Sequence, residues 1–221
     1  MSEATGFLYP FLESEETDSG SLLTDLAASA RTKSRESAAL RASTLTACAE
    51  LVRTAGAEMA RRFGAGGRMF AFGNGGSSTD ATTLADLFAR PPLGAPLPAW
   101  SLTADQAILT ALGNDVGFDL VFARQLIARS GPGDIAVALS TSGSSRDLTA
   151  ALREARRRGL YTVGFAGYEG GDFAASPDVD TCFVVRSQSV HRIQESQALL
   201  GYQLWATVHE HLDAANGTET P

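Results

Sequence analysis

Five short apolar runs, each separated from the next by a helical stretch, most constrain how this chain can fold. They are RMFAFG (68–73), LPAWSLT (97–103), DIAVALS (134–140), YTVGFAG (161–167) and DTCFVVR (180–186). They are apolar throughout rather than alternating, which predicts strands covered on both faces. Helical patterns lie between and after them, at about 77–90, 104–112, 117–129 and 145–158, with a last one from 191 to about 212. Strand and helix in alternation predict an α/β fold, a parallel sheet with right-handed crossovers.

Residues 1–20 are acidic and broken by Pro10 and Gly20, which predicts an arm; its Phe7, Leu8, Tyr9, Phe11 and Leu12 are candidates to dock in a groove or on a protein partner. From about 21 to 63 alanines and leucines recur every three or four residues without a proline, so one or two helices are expected there. The length and apolar stripe of this segment call for packing against a partner subunit, with packing within the chain as the alternative. The same expectation attaches to the stripe Ile193, Gln197, Leu200, Leu204 and Val208 in the last helix. A single domain over 21–215 and a flexible tail at 216–221 complete the organisation.

The chain has 221 residues, 44% of them hydrophobic, enough for one domain with a sizeable core. Its net charge of −7 argues against nucleic-acid or anionic-membrane binding driven by overall charge. The one basic cluster, REARRR at 153–158, reads as the solvated face of a helix. No apolar run approaches the roughly 20 residues of a membrane span. The N-terminus lacks a basic start and a long apolar region, so no signal peptide and a cytoplasmic location are expected. Cys48 and Cys182 have no CxxC partner and read as buried reduced thiols.

Two loops carry the chemistry. FAFGNGGSSTD (70–80) and VALSTSGSSRD (137–147) each leave a strand and enter a helix through small residues. In an open parallel sheet, ligands sit beyond the carboxyl ends of the strands. The first N–H groups of the following helix lack partners, and its dipole favours an anion. Serine and threonine add donors, and glycine lets the backbone come close. Either loop alone could be an N-cap and turn. Together they look like two walls of one pocket, with Ser140–Ser145 as a phosphate cradle. There is no GxxxxGK[ST] and no GxGxxG, so the hydroxyl-rich loop suits the phosphate monoester of a small molecule better than a nucleotide.

These residues resemble the sugar isomerase (SIS) fold and, within it, the phosphoheptose isomerase family. GNGGSSTDA looks like that family's GNGGS…DA loop and STSGSSRDL like its STSGNS loop. LGNDVGFDLVFARQL is similar to its GND segment, and RIQESQ (192–197) to its RIQE…H segment. The resemblance runs from about 21 to 212. It implies a three-layer αβα fold with a five-stranded parallel sheet and a long N-terminal helical segment. It also implies a homotetramer with sites between subunits. Ser140, Ser142 and Ser145 would contact phosphate, with Thr141 in the same loop. Asn74 and Ser77 would line the sugar side, Asp115 would approach from the GND loop, and Gln194 would reach the site from the last helix.

The chain departs from the family where the chemistry is done. An aldose–ketose isomerase needs a general base and a group to stabilise the enediolate oxygen. The family carries a His and, four residues on, a Glu in the helix after GNGGS. Its last helix carries the Gln of RIQE and, eight residues on, a His. These four hold zinc in many members. Aligned on the motifs, the corresponding residues are Thr83, Leu87, Gln194 and Tyr202. Leucine cannot take a proton, and Gln194 alone would not hold zinc, so no metal or cofactor is expected.

Asp86, Glu195 and His191 are weak candidates for a relocated base. Asp86 is one position from Leu87, about 100° around a helix, and faces elsewhere. His209 and His211 read as structural or solvated. A phosphosugar-binding protein that has lost the usual chemistry is therefore expected. The alternatives are an isomerase of the sedoheptulose 7-phosphate type with a relocated base, and a scaffold resembling the DnaA initiator-associating proteins of the same family.

Overall fold

The computed structural model describes residues 19–217. The chain divides into two compact units, Met1–Ala39 and Leu40–Pro221. The first is represented by the opening turns of helix α1 (Ser19–Gly64), whose Leu23 and Leu26 are exposed. The proposed arm lies outside the described residues, except that its last two positions already belong to α1. The proposed tail lies outside them too, except for the last residues of α7. Where one or two helices were expected over 21–63, a single helix runs.

The second unit is a parallel sheet with helices on both faces. Its strands are β1 (Met69–Gly73), β2 (Ala99–Ser101), β3 (Ile135–Leu139), β4 (Tyr161–Gly167) and β5 (Thr181–Val185). They pair in the order β2-β1-β3-β4-β5, with β1 and β3 in register from Met69↔Ile135 to Gly73↔Leu139. The helices are α2 (Gly76–Ala89), α3 (Gln106–Asp115), α4 (Val121–Arg129), α5 (Arg146–Arg157), α6 (Gly171–Ala175) and α7 (Val190–Gly217). All five expected strands form. The helix expected at 117–129 is interrupted: Gly117 adopts a left-handed φ of 92°, a short 3₁₀ turn follows, and α4 begins only at Val121. The short α6 has no counterpart among the expected elements, because five residues are too few to show a period.

The apolar character of the strands has a direct cause. Met69, Ala71, Ile135, Val137, Leu139, Val163 and Phe165 pack on one face, against Cys48–Phe63 of α1 and the buried faces of α2 and α7. Phe70, Phe72, Ala136 and Ala138 pack on the other, against α4, α5 and Phe173 of α6. Each fully buried large side chain contributes roughly 1.5–3 kcal/mol, so neither side of these strands is free to be polar.

The stripe on α7 corrects an expectation. Ile193, Gln197, Leu200, Leu204 and Val208 are buried within the chain itself, not left for another subunit. An apolar helix stripe looks the same in sequence whether a sheet or a partner covers it. Cys48 is buried and Cys182 partly so, both as free thiols. Among the described residues no helix is long and apolar enough to cross a membrane.

Candidate active site

Because Gly73 pairs with Leu139, β1 and β3 end side by side and their two loops leave the same sheet edge together. The second loop is braced from within. Ser140 is buried, and its Oγ accepts from the Gly143 N–H at 2.9 Å and lies 3.3 Å from Ser142 Oγ. The loop is also held from outside: Gln197 Nε2 donates to Ser140 O at 2.8 Å, and the Phe173 N–H to Gly143 O at 3.0 Å. Gly143 has φ 68°, and a Cβ there would collide with Gly170 O. The braces leave Ser142 exposed and Ser145 half-buried at the N-cap of α5, where its side chain makes no capping bond. The two hydroxyls therefore stand beside a helix N-terminus that attracts anions.

Asn74 bridges the loops. Its Nδ2 donates to Asp147 Oδ2 at 2.8 Å, tying the end of β1 to the first turn of α5. Burial pushes the Asp147 carboxyl above its ordinary range, against the pull of Asn74 and of the backbone N–H groups of Asp147 and Leu148. Ser77 is buried at the start of α2. Thr141 is half-buried and passes its carbonyl to the Gly167 N–H at 2.9 Å. Asp115 ends α3 exposed, accepting from its neighbour Asn114 at 2.9 Å.

Beside the cradle, α2 and α7 enclose a cavity of about 60 Å³ lined by Asp80, Thr83, Leu84, Leu87, Leu139, Gln197, Ala198, Gly201 and Tyr202. Thr83, Leu87 and Tyr202, the positions where the family resemblance leads to His, Glu and His, thus converge on one space. Gln194 Nε2 donates to Asp80 Oδ2 at 2.8 Å, and a Cβ on Gly76 would approach that amide nitrogen to 2.6 Å. Burial raises the Asp80 carboxyl above its ordinary range, and the Gln194 bond lowers it.

Zinc binds to His nitrogen, Cys sulfur or carboxylate oxygen, usually four at once. This cavity offers one carboxylate already tied to an amide, two hydroxyls, the Gln197 amide and aliphatic walls. Among the described residues no three His, Cys, Asp or Glu group together to hold a metal. The residues present do not fit zinc.

The three weak base candidates fall elsewhere. Asp86 pairs with Arg90 at 2.6 Å on the outer side of α2. His191 and Glu195 are exposed on α7, and neither lines the cavity. His209 is structural, its ring nitrogens each 3.1 Å from a carbonyl oxygen, of Trp205 and of Ala95. Asp80 lies within GNGGSSTDA but was not named as a site residue. The signal for it was there: Asp80, Thr83 and Leu87 fall at i, i+3 and i+7, one face of α2.

A family model described as SIS domain matches residues 34–167. A phosphoheptose isomerase of Solidesulfovibrio magneticus is 45% identical over 183 residues, covering 80% of this chain and 86% of the relative. One of Rhodospirillum rubrum is 39% identical over 167 residues, 75% and 88% of the two chains. Among solved structures, the phosphoheptose isomerase GmhA of Neisseria gonorrhoeae superposes with a TM-score of 0.78 at 30% identity, over 84% of this chain and 99% of that one. With its five-stranded parallel sheet, its paired Gly/Ser loops and this degree of identity, the chain belongs to the SIS-domain family of phosphoheptose isomerases.

Proposed function

We propose that this protein binds a sugar phosphate at the paired loops, with the phosphate on Ser142, Ser145 and the N-terminus of α5. The sugar then extends past Asn74 and Ser77 toward the α2–α7 cavity. The observation that carries this reading is the cradle itself. Its buried members, Ser140 and Gly143, brace the loop, while the Ser145 hydroxyl caps nothing at the mouth of a 12-residue helix. The names of the relatives make a seven-carbon sugar phosphate the first ligand to try. The family's His/Glu/His centre is replaced by Thr83, Leu87 and Tyr202, so binding proceeds without zinc and without the usual base. The working form is a cytoplasmic homotetramer with sites between subunits.

The test is ligand line-broadening by NMR with sedoheptulose 7-phosphate and a small panel of other ketose phosphates. Hydrogen bonds to a charged group contribute roughly 1.5–3 kcal/mol each. Ser142→Ala with Ser145→Ala should therefore weaken binding at least about a hundredfold. Unchanged affinity in the double variant would remove the cradle from the reading.

A further inference from the structure

We propose that Asp80, the Asp of the GNGGS…DA loop that the chain shares with the family, is the catalytic base here, taking the proton from the carbon beside the carbonyl of the bound sugar phosphate. The inference rests on the sugar-phosphate reading and adds chemistry to it. Three observations carry it. Among the described residues, Asp80 is the only carboxylate lining the cavity on which Thr83, Leu87 and Tyr202 converge. It sits on the same face of α2 as Leu87, two turns earlier, so the lost family carboxylate and this one look into the same space. Gln194 fixes its orientation by engaging Oδ2, which leaves Oδ1 for a ligand.

A proton partner is also present. The Thr83 hydroxyl is spent on Thr79 O at 3.0 Å. The phenol of Tyr202, packed on Trp205 with ring centroids 5.2 Å apart, is the remaining hydroxyl on the cavity wall. The step balances without a co-reactant. Asp80 Oδ1 takes the proton; the C–H pair becomes the C=C bond of an enediol; the carbonyl π pair moves to oxygen, which takes the Tyr202 proton. On the return, Asp80 gives its proton to the former carbonyl carbon. The hydroxyl on the neighbouring carbon becomes the new carbonyl and returns its proton to the Tyr202 oxygen.

The experiment is deuterium exchange into sedoheptulose 7-phosphate and the ketose panel in D₂O, followed by NMR, with line-broadening read in the same tubes. The wild-type chain should exchange the hydrogen next to the carbonyl. Asp80→Asn, whose amide oxygen can still accept from Gln194, should keep binding and lose exchange at least about a hundredfold. Asp80→Glu should restore part of it. Exchange at the wild-type rate in Asp80→Asn would overturn the proposal, as would binding without exchange in the wild type. Loss of both binding and exchange in Asp80→Asn would make Asp80 a binding residue and overturn its role as base. Absence of broadening with every ligand would instead sink the sugar-phosphate reading on which it rests.

Discussion

Leu87 and Asp80 face one cavity from the same helix, so what this site can do is decided by single side chains rather than by its frame. If the frame is intact, the family's donors can be put back. Thr83→His, Leu87→Glu and Tyr202→His together should create a zinc site next to Gln194. Metal analysis should then find about one zinc per chain in the triple variant and none held by the parent. Zinc bound tightly by the parent would refute the misfit argued from its donors. Gly143 is constrained by backbone instead. Its positive φ and the closeness of Gly170 O leave no room for a side chain. Gly143→Ala should lower stability by roughly 1–3 kcal/mol and distort the cradle, seen together as a lower melting temperature and weaker ligand broadening.

At the scale of elements, α1 is tied to the sheet by a charged cluster at its end. Glu58 bonds Arg61 and Arg62, and Arg62 donates to Asp134 O and Gly159 O at the entries to β3 and β4. The hydrogen bond from Arg61, with the help of Arg62 and against partial burial, lowers the Glu58 carboxyl from 4.5 to about 2. A lowered carboxyl stabilises the fold fully above its unfolded value and loses that contribution as pH falls. Stability should therefore drop between about pH 4.5 and 2, and Glu58→Gln should flatten that limb in a series of thermal melts. Asp147 has the opposite sign. Its raised carboxyl makes ionisation oppose folding: the cost is absent well below the ordinary carboxylate range and sets in as pH rises through the raised value. Asp147→Asn can still accept from Asn74, so at neutral pH it should melt no lower than the parent, and the difference should shrink in acid. A clear loss of stability at neutral pH would mean that the bonds from the α5 backbone outweigh burial.

At the scale of the whole molecule, light scattering should return a tetramer; a monomer at micromolar concentration would remove the proposed sites between subunits. The order of elements was legible along the chain, because a parallel sheet covered on both faces forces continuous apolar runs and helical crossovers. Both loops were legible too, since glycine and serine cluster where a strand hands its end to a helix. That Thr83, Leu87 and Tyr202 stand where the family resemblance leads to His, Glu and His could be read from the motifs alone. Other properties arise only when distant segments meet. The α7 stripe was assigned to a partner, yet the sheet of the same chain covers it, and periodicity carries no record of what does the covering. Ser140 was taken as a phosphate contact; folding also buries it and has its oxygen accept from the Gly143 N–H, a brace that no local pattern announces. Asp80 acquires meaning only because α7 brings Gln194 across 114 positions to hold it. Sequence by itself determined the fold class and the two loops, since local pattern encodes both. Which carboxylate faces the α2–α7 cavity was decided by tertiary structure, because helix packing sets direction and burial.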